Sequence, residues 1–461
     1  NIYTPKRRYA VGKELTFPAF EMQKGKVIST RPGTNPEYPG LEVVEVEFQD
    51  LSTKTFASNV ENHKLNEPTP INIDHPNMNA GLVVKNFGKL IGKELEEELE
   101  SNPDLVMIAG KWFPRSLLVD VNIGHLNLAE AVLEVEEGGP LTTKAILDQI
   151  ELPTDVNIKL TEFSLNLALQ EDGRFDEVGP AGETLWYLKR LEPEAVKTVP
   201  VYLRPNFPEY DYAVLKPALK QLENVVMDEL EPEHESVNEN EYVTFSLLFP
   251  HWRAGTLPLT PNIAKFFPTA YEAPRIRFDF VSNETNKHFP GWVVRSSKYV
   301  YGLDAWYKEI GAIPGSLITV IKGHNPGEVI VKADRKKPSR DWLRTMLIGA
   351  DGGFVFAMLK QPVSASYDER MTIVLPDPTL VDRFWDPSWK SRLSFEDLVK
   401  TAVRELSKLN PQGHVHLEEL YAAVNFIRRC PPSAILYILM ANQWANHLGD
   451  LYFKLNEETE V

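Results

Sequence analysis

Nine side chains between residues 275 and 344 have the types and spacing to hold a polyanion: Arg275, Arg277, Arg295, Lys298, Tyr299, Lys336, Lys337, Arg340 and Arg344. Lysine and arginine neutralise phosphates, and an arginine in the major groove can bond a guanine through two parallel hydrogen bonds. Arg275 and Arg277 alternate along an expected strand, and Arg295 ends a second strand that Lys298 and Tyr299 follow. The last four trail an expected hairpin. These residues are the nucleic-acid-binding candidates. Trp292, Trp306 and Trp342 invite a base-stacking role, but each sits in an apolar-periodic segment and is assigned to the core.

Other chemistry has poorer candidates. His414-Val415-His416 with Glu418 and Glu419 has metal-ligand residue types, yet reads more simply as the polar start of a helix. Cys430 precedes Pro431-Pro432 with no histidine near it in the chain, which makes it a structural thiol. The run Gly349-Ala350-Asp351-Gly352-Gly353 lacks a following Lys-Ser/Thr and an opening helix. It is therefore a turn between strands and not a phosphate cradle. Asp334-Arg335-Lys336-Lys337 matches a nuclease site in composition only, and the nucleophile-elbow and zinc-protease motifs are absent from the sequence. The expectation is a non-enzyme with no catalytic residue, no metal and no cofactor.

Charge singles out the same region. Residues 251–344 carry 15 Lys/Arg against 8 Asp/Glu, a balance of +7 in a chain of net charge −16. The remaining 367 residues stand at −23. A basic island on an acidic body is the footprint of a phosphate-binding surface. The other reading is a basic patch that docks on the protein's own acidic part. With 461 residues and 43% apolar composition, the chain is too long for one core and apolar enough for several. One cysteine rules out an internal disulfide framework and points to a reducing cytoplasm. No run of 18 apolar residues exists, and the polar, basic start, Asn1 to Arg8, has no apolar segment of signal-peptide type behind it.

The elements that must position these residues divide into modules of an α+β, multidomain chain. Residues 1–66 read as short strands: Tyr9 to Gly12, Leu15 to Pro18, Gly25 to Ile28, Val43 to Phe48 and Thr55 to Ser58. This order resembles small SH3-like barrels of bacterial transcription and repair proteins, some of which grip RNA polymerase. Residues 67–119 form a connector with a helix. Residues 120–192 hold three helices, Leu126 to Leu133, one capped by Thr142 or Thr143 running to Ile150, and about Asn157 to Gln170. Two strands follow around a Gly-Pro turn. The ending Arg174-Phe175-Asp176-Glu177-Val178-Gly179 with Trp186-Tyr187-Leu188 resembles the winged helices of the RNA polymerase delta-subunit type.

Residues 193–245 read as a helical segment, Leu215 to Glu229, and an acidic, solvated joint from Asp228 to Glu241. Residues 246–388 hold the basic module with a β extension. Its order is a strand (Arg275 to Phe280), a Trp strand (Trp292 to Arg295) and a helix from Tyr301. Then come the turn Ile313-Pro314-Gly315-Ser316 and a hairpin. That order resembles the DNA-binding pseudobarrel of plant auxin-response transcription factors and of restriction-endonuclease recognition domains. Residues 389–461 repeat the winged-helix grammar, with helices Phe395 to Leu409, Leu417 to Ile427 and Ser433 to Met440.

Residues 120–192 hold 5 basic and 15 acidic residues, and the third helix offers only Lys159, beside Glu162. Ser433 to Ala441 is apolar throughout, with only Arg428 and Arg429 near it. Both winged helices therefore suit protein docking and not a polyanion. The combined expectation is a cytoplasmic prokaryotic DNA-binding adaptor in transcription control. It would hold duplex DNA on the basic pseudobarrel and RNA polymerase or a sigma factor on the flanking modules. The alternative is an accessory protein of a CRISPR- or restriction-associated defence system that binds partner proteins and takes no DNA, with its acidic joint and the strand region after Ile348 as places where a partner or protease acts.

Overall fold

The computed structural model describes residues 2–17, 20, 23–48, 52–66, 80–108, 111–152, 157–215, 226–231, 240–325, 327–349, 352–386, 393–442 and 444–456. Helix and strand are nearly equal, at 32% and 31%, so the protein is mixed α/β with several sheets, one of them a half-barrel. The chain divides into two compact units, Asn1–Ser101 and Asn102–Val461. Among the described residues no helix is long and apolar enough to cross a membrane.

The first unit is an antiparallel meander of β1 (Glu14–Phe17), β2 (Gln23–Pro32), β3 (Glu42–Phe48) and β4 (Thr53–Ser58), followed by helix α1 (Ala80–Glu100). Alternation along β3 buries Val44, Val46 and Phe48 on one face, as their spacing predicts. Aromatic rings close this core, with Phe17 and Phe56 centroids 4.4 Å apart. The expected strand from Tyr9 to Gly12 does not form. Tyr9 instead plugs the core from an irregular segment between two turns, its hydroxyl donating to the Thr4 carbonyl at 2.9 Å.

The second unit opens with a hairpin absent from the sequence reading, β5 (Leu105–Ile108) and β6 (Lys111–Pro114), which sets Phe113 against Phe163. Next come α2 (Ile123–Val135), β7 (Leu141–Thr142), α3 (Thr143–Leu147), α4 (Ile158–Glu171), β8 (Phe175–Glu177) and β9 (Leu185–Leu188), with strand order β7-β9-β8. Each helix starts where the sequence offers a cap: Asn122, Thr142 and Asn157 accept backbone N–H groups of the first turn. Trp186 is fully buried here, and its indole donates to Asn166 at 2.9 Å.

Seven strands form the half-barrel: β10 (Tyr242–Ser246), β11 (Thr256–Pro258), β12 (Arg275–Ser282), β13 (His288–Val294), β14 (Tyr299–Tyr301), β15 (Leu317–Lys322) and β16 (Glu328–Ala333). Their order is β10-β15-β16-β12-β13-β14-β11, and only β12 and β16 run parallel. Phe278, Phe280, Val293, Ile318 and the helix residue Trp306 fill the concave core. Trp292 faces the other way and packs with Tyr187 and Val178 of the three-helix module. Both tryptophans are buried, as expected.

A long ribbon follows, β17 (Arg335–Ile348) and β18 (Phe354–Ala365). Its turn is closed by Gly349 N–H donating to the Gly353 carbonyl. The C-terminal part has helices Phe395–Ser407, Leu417–Val424 and Pro432–Ala441 with strands β19 (His414–His416), β20 (Ala445–Gly449) and β21 (Tyr452–Leu455). Met346, Phe354 and Phe356 of the ribbon share one core with Phe395, Leu398, Leu420 and Ile435, so the packing crosses residue 388.

Residues 232–239 of the expected acidic joint lie outside the described residues, and its start is not solvated. Asp228 and Glu229 are buried around Arg429, which has no exposed surface. The guanidinium donates to Asp228 Oδ1 at 2.6 Å, to Asp228 Oδ2 at 2.7 Å and to Glu229 Oε1 at 2.7 Å. Tyr421 donates its hydroxyl to Asp228, and His251 Nε2 lies 3.2 Å from Glu229. Burial alone would raise the Glu229 carboxyl. The Arg429 charge, with His251, reverses this and holds it far below its ordinary value. Of the expected helix from Leu215 to Glu229, residues 216–225 lie outside the described residues; Leu215 ends a short turn and residues 226–229 are not helical. Composition signalled the charge of this stretch, but its partner sits 200 residues further along the chain.

Candidate nucleic-acid interface

The register of the half-barrel places the nine expected residues first. Arg275 pairs with Val294, so Arg295, Lys298 and Tyr299 lie at the β12 N-terminal end of the sheet. Because β16 runs parallel to β12, with Asp279 beside Glu328 and Ser282 beside Val331, its exit into Arg335 lies at the opposite end. At about 3.3 Å per residue the two groups stand roughly 30 Å apart along the strands. The expected single surface is thus two.

At the first end the cations are largely spent. Arg275 Nη1 lies 2.7 Å from Asp176 and 3.1 Å from Glu192, both of the acidic three-helix module. Arg277 pairs with Asp279 at 2.8 Å and bonds the Phe278 carbonyl. Tyr299 is buried, with its hydroxyl donating to the Ala195 carbonyl at 2.6 Å, which leaves no face for a base. Arg295 is exposed, and Lys298 is half-buried in a left-handed turn at φ +53°. Both line a shallow cavity of ≈ 320 Å³ whose wall also carries Glu229 and Glu231. The carboxylates there oppose the approach of a phosphate.

Docking of the acidic module also leaves carboxyls in a poor medium. Burial pushes Glu177 up to about 7, with Glu272 and Asp176 adding repulsion. Burial and the hydrogen bond to Asp176 push Glu192 up to about 8. Asp176 and Glu192 share one arginine, so a proton on one of them relieves their mutual repulsion.

The second end is different. Lys336, Lys337 and Arg340 are exposed, and Lys336 sits 4.3 Å above the Tyr367 ring. Arg340 pairs across the ribbon with Pro362, Trp342 with Lys360 and Arg344 with Met358. Antiparallel partners share a face, so Arg340, Trp342, Met358, Lys360 and Pro362 form one exposed surface. Trp342 is 60% exposed, which corrects its assignment to the core, and the Lys360 ammonium lies 5.5 Å from its ring centre. Further along the same face the chemistry changes. Arg344 is mostly buried against Glu419 and donates to the Arg370 carbonyl at 3.0 Å, so it ties the ribbon to the C-terminal helices. Asp341, the acid at the ribbon's base, is occupied by Ser339 and Tyr367. A register shift between Arg335 and Ser339, around Pro338, bends the strand where the lysines stand.

Lys360 and Trp342 were missed as site residues. A signal for Trp342 existed in the alternation Arg340-x-Trp342-x-Arg344, which puts an aromatic ring between two cations on one strand face. Lys360 joins only through the pairing of β18. The histidine–glutamate group near residue 416 is a helix cap: His416 Nδ1 accepts from Glu418 N–H, Glu419 accepts from His416 N–H, and Glu418 pairs with Arg370. Among the described residues no set of three His, Cys, Asp or Glu is arranged to hold a metal ion. No known protein family, curated protein or solved structure matches the chain.

Proposed function

We propose that the protein is a DNA-binding adaptor that holds duplex DNA on the exposed face at the base of the β17–β18 ribbon. The observation that carries this reading is Trp342, an exposed indole under the Lys360 ammonium with Arg340 on the same face. Arg335, Lys336 and Lys337 extend the positive charge at the bend. A two-stranded ribbon fits the major groove, where its lysines reach phosphates and an arginine reaches base edges. Arg295 and Lys298, at the far end of the sheet, take a minor part because Glu229 and Glu231 stand beside them.

The remaining modules take protein partners under this proposal. Residues 120–192 form a winged helix with an acidic surface, residues 393–456 a second one with a buried third helix, and residues 1–66 a small barrel of SH3-like type. The half-barrel between them is the DNA-binding pseudobarrel. Transcription control, with RNA polymerase or a sigma factor as partner, is the setting in which such parts occur together. A second reading, a defence-system adaptor that binds proteins only, draws support from Arg275 and Arg344, whose charges are consumed by the chain's own carboxylates.

Fluorescence anisotropy of a short random-sequence duplex with the full chain decides between them. Binding that Lys336→Glu, Lys337→Glu and Arg340→Glu together abolish supports the ribbon. Arg295→Glu should change little. Absence of binding at low salt would sink the DNA reading and leave the protein-only adaptor.

A further inference from the structure

Helix α1 carries an apolar stripe that its own unit leaves uncovered. Val84, Phe87, Ile91 and Leu95 are 66%, 48%, 48% and 53% exposed, and their spacing of three and four residues puts them on one face. At 1.5 Å per residue the stripe from Val84 to Leu95 runs about 17 Å, and contiguous exposed apolar surface on a helix is a mark of an interface. Gly88 and Gly92 border the stripe. A Cβ at Gly92 would meet nothing within 4 Å, and one at Gly88 only Val84 Cγ1 at 3.5 Å. Glycine weakens a helix interior, and in return it lets a second backbone come close.

Charge selects the occupant. Lys85, Lys89 and Lys93 precede the acids along the helix, while Glu94, Glu96, Glu97, Glu98 and Glu100 crowd its end. The first turn holds no acid and the last turn no base, so the pattern opposes the helix's own macrodipole. Lys93 and Glu97, 3.6 Å apart, relieve this only locally. A second helix of the same sequence lying antiparallel would relieve it at both ends, because Lys85 meets the glutamate end of the other helix and the two dipoles cancel, and only Lys89 and Lys93 face each other near the middle. A parallel copy would set like charge on like.

We propose that α1 pairs antiparallel with α1 of a second copy of this chain, about a two-fold axis near Ile91. The contact is then isologous. Ile91 meets Ile91 of the second copy, Phe87 meets its Leu95, and Lys85 lies opposite its Glu96 and Glu97. This does not rest on the nucleic-acid reading.

Sedimentation of the full chain tests it. The wild-type protein should sediment as a dimer, and the double variant Phe87→Glu, Ile91→Glu as a monomer with an unchanged far-UV spectrum, since both side chains are exposed. A monomeric wild type, or a dimer that survives the double variant, overturns the proposal. Orientation is read by mild oxidation of single cysteine variants. Cys430 is buried and does not compete. Ile91→Cys should give a disulfide-linked dimer and Val84→Cys should not; equal cross-linking at both positions overturns the antiparallel arrangement. Lys85→Glu should weaken the dimer about tenfold, and adding Glu96→Lys should restore it. Failure of that restoration also counts against the proposal.

Discussion

Arg429 is the residue on which the largest single effect is expected. It neutralises two buried carboxylates, Asp228 and Glu229, and Arg429→Met would leave both without a counter-charge. Breaking a buried pair in this way costs about 3–5 kcal/mol, so the urea midpoint of the variant should fall sharply. Trp342→Ala is the opposite case. The ring is exposed, so stability should change by less than about 1 kcal/mol while duplex affinity drops several-fold in the anisotropy assay. Two of the strand tryptophans, Trp292 and Trp342, sit in similar alternating runs, yet one is buried and the other is not. Strand periodicity separates two faces without saying which face the rest of the chain covers. Arg429 was legible only as a cation near an apolar helix, since its acidic partners lie so far away in sequence.

At the scale of elements, the junction of the three-helix module with β12 makes stability depend on pH. Glu177 and Glu192 have folded-state values near 7 and 8, above the ordinary 4.5 of an unfolded glutamate. Between these limits the folded protein binds more protons than the unfolded chain, so stability falls as pH rises from about 5 to 8. Below 4.5 both states are protonated and the penalty vanishes. The melting temperature should decline across that window, and Glu177→Gln should flatten the decline; an unchanged slope would mean that Glu177 titrates normally. The second and third helices of this module were legible because Thr142 and Asn157 mark their starts and apolar residues recur at helical spacing, whereas the first was legible only from Leu126, inside its start at Ile123. The β5–β6 hairpin was not, because four residues per strand carry too little pattern to separate them from a connector.

At the scale of the whole molecule, the proposal that an acidic chain binds DNA through one short ribbon requires binding to be weak at high salt. If Lys336, Lys337, Arg340 and Lys360 each neutralise a phosphate, the logarithm of affinity should fall with the logarithm of salt at a slope of about −3 to −4. Lys336→Glu with Lys337→Glu should remove about 2 from that slope. The sequence made the basic island visible, but it could not say that the island would be shared between docking and exposure. Arg275 and Arg344 hold acidic parts of the chain in place, while the ribbon's base remains open. The salt-bridged anchor at Arg429 has one more consequence. The chain is gripped before residue 232 by Arg429 and after residue 241 by the β10–β15 pairing. Asn206 N–H is bound to the Arg429 carbonyl, and Arg275 holds Asp176. A single proteolytic cut between Glu231 and Asn240 would therefore produce two pieces on a denaturing gel that still travel as one particle through a sizing column. Cutting there would change the protein's covalent identity without dispersing it, and release of either half would need a further event that reaches the buried arginine.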